Sequence, residues 1–170
     1  MNDYRALLHS RNQELPLIEI NVLALLTDPQ GNVMLTREKD SIYWVLPGGW
    51  MEPRQSLTDC LQHNLMGNFG ILPEDNALVK VFSDPAQSYL NSDSVKICPV
   101  YMVVYPRQIR GTLCFKPKNG AEIRFFAPWN VPMNRVFPPM KAVLTFYQES
   151  FTDESGIRRP DWESFPDILE

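Results

Sequence analysis

The amino-acid sequence predicts a single α+β domain. Short β-branched and aliphatic runs dominate its first half, one apolar stripe with helical spacing lies near the middle, and a second stripe follows the Pro-Pro pair at 138–139. A chain in which the strands and the helices occupy different stretches of the sequence, as here, is typical of α+β domains. A chain of 170 residues is long enough to bury about 70% of its unfolded surface.

The first predicted elements are a strand, a turn and a returning strand. Residues 18–26 (IEINVLALL) are rich in aliphatic side chains and predict a strand. Residues 28–32 (DPQGN) have turn chemistry, because proline fixes φ and glycine accepts a positive φ. Residues 33–36 then predict a strand that pairs back as a hairpin. A further short strand over 43–46 leads into Pro47-Gly48-Gly49.

A helix is predicted over residues 57–68. Ser56 and Asp59 have the spacing of a capping box, in which a hydroxyl and an acid satisfy two N–H groups at the helix start. Gly70 is a typical residue for its end. The apolar stripe of this helix consists of Leu57, Leu61, Leu65 and Met66.

The second half of the chain predicts four more strands and a last helix. The strands are expected at 77–83, 95–105, 112–115 and 122–127. The helix is expected over 139–151. Its apolar side consists of Met140, Val143, Leu144, Tyr147 and Phe151.

Composition narrows the class of protein. The chain carries 16 basic and 20 acidic side chains, and a balance of this kind argues against binding to duplex nucleic acid. The apolar runs are too short for a membrane span, and the charged first residues do not form a secretory signal. The three cysteines are widely spaced, which favours reduced thiols over zinc or disulfides. A cytoplasmic domain is expected, followed by an acidic tail over 152–170.

Residues 44–52 (WVLPGGWME) and the capped helix ending at Gly70-Ile71 resemble the Nudix hydrolase family. The family's box contains Gly, five residues, Glu, seven residues, and then Arg-Glu-aliphatic-any-Glu-Glu-any-Gly-aliphatic. With Gly49 as the first glycine, every spacing is kept. The resemblance covers about residues 15–150, and residues 89–95 (YLNSDSV) resemble a segment of one subgroup. It implies a Nudix-type α/β/α sandwich with a mixed central β-sheet, formed by residues 1–151.

The box has lost its four carboxylates. The positions that differ are Gln55, His63, Asn64, Gly67 and Asn68. In the family, carboxylates of this helix hold Mg²⁺ or a similar cation, and positions 64, 67 and 68 share one helix face. At about 4 Å and an effective dielectric near 20, each lost charge removes roughly 4 kcal/mol per cation charge. The expectation is therefore that no metal binds, and that Mg²⁺ or Mn²⁺ is used only if some hydrolase activity remains.

Five other residues are candidates for ligand binding by the same resemblance. Arg37 is at a position where the family often has a basic residue facing the phosphate. Glu52 is the one acid left beside the box, and Glu122 matches a downstream acid that some family members use near the site. Trp50 and Phe82 could stack on a nucleobase. Each has a plain alternative, which is a surface charge for the three ionisable residues and packing for the two aromatic ones.

Three functions stay open at this point. The first is a degenerate Nudix domain that binds a nucleotide-like molecule or a protein partner without hydrolysis. The second is a hydrolase of a nucleoside diphosphate linked to another moiety, with metal held by Glu52, Glu122 and substrate phosphates. The third is a purely structural or dimerising protein with no ligand pocket, and a homodimer is a possible assembly.

Overall fold

The computed structural model describes residues 4–11, 15–114, 120–153 and 156–157. The helices are α1 (Tyr4–Arg11), α2 (Leu57–Phe69) and α3 (Lys141–Phe151). The strands are β1 (Leu17–Ala24), β2 (Val33–Arg37), β3 (Gly48–Trp50), β4 (Ile71–Phe82), β5 (Tyr89–Leu90), β6 (Lys96–Gly111), β7 (Glu122–Phe126), β8 (Thr152–Asp153) and β9 (Gly156–Ile157).

A mixed sheet forms the centre of the fold. Its strand order is β3-β1-β6-β4, and β5 adds to β6. Strand β1 runs parallel to β6, whereas β3, β4 and β5 pair antiparallel with their neighbours. Strands β2 and β7 form a separate antiparallel pair. The predicted α+β class with a mixed sheet is confirmed.

The two faces of the central sheet are covered by different helices. On the first face, which we call the α2 face, Val22 and Ala24 of β1 pack with buried Cys60, Leu61 and Leu65. On the opposite face, the α3 face, Leu23 and Leu25 pack in a larger core. Neighbouring strand residues point to opposite sides of a sheet, so alternate residues of β1 belong to alternate cores. The core of the α3 face contains the predicted apolar side of the last helix, from Met140, Val143 and Leu144 to Tyr147.

The predicted hairpin between 18–26 and 33–36 is wrong. The turn is present, because Asp28 N–H donates to Asn32 and Thr27 makes an antiparallel bridge to Val33. Beyond that bridge the two strands separate, since β1 pairs with β3 and β6 while β2 pairs with β7. Local turn chemistry was identified correctly, but the partners of each strand depend on distant segments.

Two short strands were also predicted in the wrong place. Residues 43–46 make only isolated bridges, from Trp44 to Val136 and from Val45 to Thr36, and the strand forms at β3 instead. Residues 112–114 are not a strand, because β6 ends at Gly111; residue 115 lies outside the described residues. Strands β4 and β6 are longer than predicted because they pair with each other along most of their length.

Smaller differences concern the helices and the chain ends. Helix α1 was not predicted, Met66 of α2 is 47% exposed, and the last helix is preceded by a 3₁₀ turn over Pro138–Met140. The side chain of Phe151 and most of the acidic tail lie outside the described residues, so the domain boundary at 151 stays a prediction. None of the described helices has the length and apolar character of a membrane span.

Candidate functional site

Two glycines shape the loop that leads into α2. Gly48 has φ +145°, and a Cβ there would lie 2.2 Å from the carbonyl oxygen of Val22. A Cβ on Gly49 would lie 2.2 Å from Oδ1 of Asn64. The loop therefore packs directly against β1 on one side and against α2 on the other. Gly48 is required by packing against rigid backbone, whereas a side chain at Gly49 would have to displace the end of the Asn64 side chain.

The start of α2 confirms the predicted capping box. Ser56 Oγ accepts from the backbone N–H of Asp59 at 3.1 Å, and the Asp59 carboxylate accepts from the Ser56 N–H at 3.0 Å. These bonds, the backbone one first, hold the pKa of Asp59 below its ordinary value. At the other end Gly70 has φ 71° and its N–H donates to Met66. Asp59 thus has the structural role expected for it.

Two of the box positions that lack acids are used in local hydrogen bonds. Gln55 accepts the backbone N–H of Glu52 at 2.9 Å and donates its own N–H to the Glu52 carbonyl at 3.2 Å. The Asn64 amide donates to the Cys60 carbonyl at 2.8 Å. Burial raises the pKa of the Cys60 thiol to about 11, so this thiol stays protonated while it contacts the carbonyl of Trp50. The bonds of Gln55 stay within the loop and that of Asn64 stays within α2, while the Cys60 thiol joins α2 to the Gly49 and Trp50 carbonyls of β3.

The remaining box positions point away from the core. His63 and Gly67 are exposed, Asn68 is half-buried, and a Cβ at Gly67 would meet nothing within 4 Å. No group of three His, Cys, Asp or Glu side chains among the described residues is placed to hold a metal. Mg²⁺ and Mn²⁺ prefer carboxylate and other oxygen ligands. The neutral amides and the bare glycine of this helix face therefore do not fit such an ion.

The structure brings Arg37 and Glu122 together. They stand opposite each other in the β2–β7 pair and form an ion pair, and Arg124 also contacts Glu122. Hydrogen bonds from Arg37 first, and also from Arg124, hold the pKa of Glu122 below its ordinary value. The guanidinium of Arg37 lies 4.9 Å from the ring of buried Trp44, and that of Arg124 lies 5.8 Å from it. The cluster carries one net positive charge.

Trp50 and Phe82 lie on the α3 face but do not oppose each other. The strand registers align Phe82 with Tyr101, Tyr101 with Asn21, and Asn21 with Trp50. We call these four residues the cross-strand row. Three strand spacings separate its ends, about 14 Å, so the two rings cannot sandwich one base. Each already has an aromatic neighbour, because Trp50 stacks with Tyr4 at 6.3 Å and Phe82 meets Phe146 edge-on at 5.8 Å.

The subgroup-like segment over 89–95 has a structural explanation. Asn91 Oδ1 accepts the backbone N–H groups of Asp93 and Val95 at 3.0 and 2.9 Å. Its carbonyl accepts from Ser94, which has φ 62°. The asparagine thus organises the turn between β5 and β6, a role for which its short side chain is suited.

Sequence reasoning missed Asn21, Glu19 and Tyr101, which the fold places on the same face as Leu23. A signal was present, because alternation along β1 puts Glu19 and Asn21 on the side of Leu23. Interior strand positions are unusual places for these two residue types. What sequence could not show is that β6 and β3 bring Tyr101 and Trp50 to either side of Asn21.

Solved structures of MutT-type proteins have a similar fold. A structure from work on MutT of Aliivibrio salmonicida and Vibrio cholerae aligns with a TM-score of 0.61 and 14% identity, covering 79% of this chain and 100% of that one. The structure of the Escherichia coli ORF135 protein aligns with a TM-score of 0.60 and 18% sequence identity, covering 78% of this chain and 89% of that one. The structure of a MutT Nudix hydrolase from Burkholderia pseudomallei aligns with a TM-score of 0.58 and 17% sequence identity, covering 82% of this chain and 100% of that one. No family model and no curated protein matches the chain. At these identities the similarity establishes the fold.

Proposed function

Because the chain has the fold of the Nudix hydrolases, we propose that it is a Nudix-fold domain that binds a nucleotide-like small molecule without metal-dependent hydrolysis. The observation that carries the proposal is the helix face at positions 64, 67 and 68. It presents two neutral amides and a glycine, with no carboxylate. The loop and helix are retained, whereas the ligands for the cation are absent from this face.

The two acids that could replace the lost ligands are poorly suited to that task. Glu52 is exposed, and its backbone is engaged with Gln55. Glu122 is held by two guanidinium groups, and releasing it to a cation would leave Arg37 and Arg124 facing that cation. A hydrolase that uses Glu52 and Glu122 would have to break this cluster first.

Ligand binding is supported by the charge and exposure of the predicted residues. The cluster of Arg37, Arg124 and Glu122 has a net positive charge, and its side chains are between 28% and 60% exposed. Guanidinium groups are well suited to phosphate oxygens. Trp50 and Phe82 are half-buried at the two ends of the cross-strand row, where either of them, but not both, can contact a heterocycle. Homodimer formation stays a prediction.

The test combines thermal shift with a direct assay of hydrolysis. The wild-type protein is titrated with AMP, ADP and ADP-ribose, each with and without Mg²⁺ or Mn²⁺, and phosphorus NMR follows the products. A rise in Tm with nucleotide alone, unchanged by metal and without product, is the expected result. Metal-dependent cleavage that disappears in Glu52→Gln or Glu122→Gln would overturn the proposal in favour of the hydrolase.

A restored variant serves as the positive control for the metal arm. It combines Gln55→Glu, Asn64→Glu, Gly67→Glu and Asn68→Glu. Gly67 is exposed and has open space for a longer side chain, whereas Gln55, Asn64 and Asn68 are half-buried, so circular dichroism first checks that the variant folds. We expect Mn²⁺ to raise the Tm of this variant and to leave the wild-type Tm unchanged. If Mn²⁺ stabilises both proteins equally, the wild type binds the ion without these carboxylates and the metal-free proposal is wrong.

A further inference from the structure

We propose that the half of the α2 face that no described helix or strand covers is an interface through which two copies of this chain form a homodimer. The inference goes beyond the proposed function, because it concerns assembly and uses none of the residues assigned to ligand binding. It lies on the opposite side of the sheet from the cross-strand row.

Helix α2 covers only one half of its side of the sheet. Along β1, Val22 and Ala24 are buried in the core that α2 forms. Ile20 and Ile18 point to the same side, because alternate residues of a strand share a face, but they are 39% and 74% exposed. The cover that α2 provides therefore ends between Val22 and Ile20.

The uncovered half continues from β1 across β6 to β4 and β5. The strand registers align residues of these strands with alternate residues of β6, and aligned residues point to the same side of a sheet. The aligned apolar set on this side, which we call the uncovered patch, consists of Ile18, Ile20, Val81, Leu90, Cys98, Val100 and Met102. Val81 is 43% exposed and Leu90 is 67% exposed, whereas the three residues of β6 are half-buried.

The composition of the uncovered patch is that of a buried surface. A sheet face that meets water normally carries polar side chains. Here the patch consists of aliphatic residues, a methionine and a cysteine, which behaves as a small apolar residue, and Lys96 beside Leu90 marks its border. On the other side of β6, Ile97 and Tyr101 are at most 3% exposed. These strands thus have the sequence of strands that are covered on both sides, although the described residues cover only one.

The chemistry and size of the patch favour a second copy as its occupant. Its side chains provide almost no hydrogen bonds with which to orient a small polar ligand. The patch extends about 20 Å along the strands and about 10 Å across them. Sheets pack face to face, and a two-fold axis makes one apolar patch its own partner. An interface of standard size covers about 800 Å² on each partner, so the patch would supply its apolar centre and the residues around it the polar rim.

The position of α2 restricts how two copies can approach. A helix with its side chains is about 10 Å thick, which is about the distance between two packed sheets. Two α2 helices therefore do not fit side by side in depth between the sheets. The patches meet without this collision when the β1 strands of the two copies run in opposite directions, so that each α2 lies towards the uncovered end of the other sheet.

The experiment measures the mass of the full chain in solution and the reactivity of its cysteines. Light scattering after size-exclusion chromatography should give twice the chain mass of 19.6 kDa at high protein concentration. N-ethylmaleimide in excess, followed by mass spectrometry of peptides, reports each thiol separately. Cys98 in the patch should react several-fold more slowly at high than at low protein concentration. Cys114, which is exposed and outside the patch, should react at the same rate at both.

Two matched variants test whether the patch itself forms the interface. Ile18→Glu places a charge on the most exposed residue of the patch, and burying an unpaired charge is costly, so this variant should have the mass of one chain. Ile109→Glu is the control, because Ile109 is also an isoleucine of the central sheet and is 45% exposed, but it pairs with Pro73 at the far end of β6. It should remain a dimer. Circular dichroism checks that both variants fold.

Three results would overturn the proposal. A single-chain mass with reactive Cys98 at every concentration would show that the patch stays uncovered. A single-chain mass in which Cys98 reacts as slowly as buried Cys60 would show that a segment of the same chain covers it. A dimer that persists in folded Ile18→Glu, or is lost equally in Ile109→Glu, would place the interface elsewhere. None of these results bears on nucleotide binding, which thermal shift tests separately.

Discussion

The polar residues on the two faces of the central sheet differ in whether they hydrogen-bond to other residues of the protein. On the α2 face, the polar residues at the loop and at the start of α2 have bonding partners within the protein: Ser56 with Asp59, Gln55 with Glu52, and Asn64 with Cys60. On the α3 face, Asn21 stands among aromatic rings and its amide bonds to no described residue.

The difference shows which residues packing explains and which it does not. Gly48 and the cap at Ser56 are explained by packing and by hydrogen bonds within the protein, whatever chemistry the neighbouring positions perform. Substitutions at the hydrogen-bonded and closely packed residues of the α2 face should therefore change stability, whereas replacing Asn21 should leave stability almost unchanged.

The largest loss of stability is expected for Gly48→Ala. The added methyl would clash with the Val22 carbonyl, and the φ of +145° is strained for any side chain. Backbone strain and a clash with rigid backbone together should lower the free energy of unfolding by about 3 kcal/mol or more. Urea denaturation followed by circular dichroism measures the change. A loss below about 1 kcal/mol would show that the loop can move away from β1.

The second-largest loss of stability is expected when the contact between Gly49 and Asn64 is changed. Gly49→Ala should lower the free energy of unfolding by about 1–3 kcal/mol, because its methyl would overlap the Asn64 side chain as in an overpacked core. Asn64→Ala in the same protein should recover a large part of that loss. A double-mutant cycle measures the coupling. Strict additivity of the two changes would mean that the two side chains do not compete for space.

Ser56→Ala tests the helix cap and its pH dependence. The change should remove about 1 kcal/mol of stability at pH 7. The folded-state pKa of Asp59 is lowered, so the stability that this carboxylate contributes is present above its unfolded pKa and is lost as the pH falls through the folded value. Urea unfolding between pH 7 and pH 2.5 should show this loss below about pH 4 in the wild type. An equal loss in the Ser56→Ala variant would assign the pH dependence to other groups.

Gly67→Ala should stabilise the protein. The position is exposed within a helix, and its Cβ would meet nothing within 4 Å. Alanine is favoured over glycine in a helix interior by roughly 0.5–1 kcal/mol. Thermal denaturation should show a higher Tm by a few degrees. An unchanged or lower Tm would indicate that this face contacts something outside the described residues.

The smallest effect on stability is expected for Asn21→Leu. Because the amide has no partner in the described part of the chain, its removal should change the free energy of unfolding by less than about 1 kcal/mol, in the stabilising direction that strand preference favours. The same urea titration measures it. A loss of 2 kcal/mol or more would give Asn21 a structural role and remove the contrast between the two faces.

Local signals predicted α2, α3 and the turn chemistry well, but they missed α1. The capping box at Ser56, the left-handed end at Gly70 and the turn at Asp28 depend on neighbours within a few residues, so they can be read from the sequence. Strand partners were predicted less well. The supposed hairpin failed because β1 and β2 pair with strands that lie far away in the chain, and non-local pairing leaves no pattern at the turn itself.

The sequence by itself determined that the Nudix-like loop and helix would form and that the four box carboxylates are absent, because both depend on residue identity and short spacing. The tertiary structure decided where the remaining chemistry lies. It paired Arg37 with Glu122 across β2 and β7, separated Trp50 from Phe82 by the width of the sheet, and placed Asn21 between Trp50 and Tyr101. Those outcomes depend on strand register, which packing of the whole chain fixes and no single segment encodes.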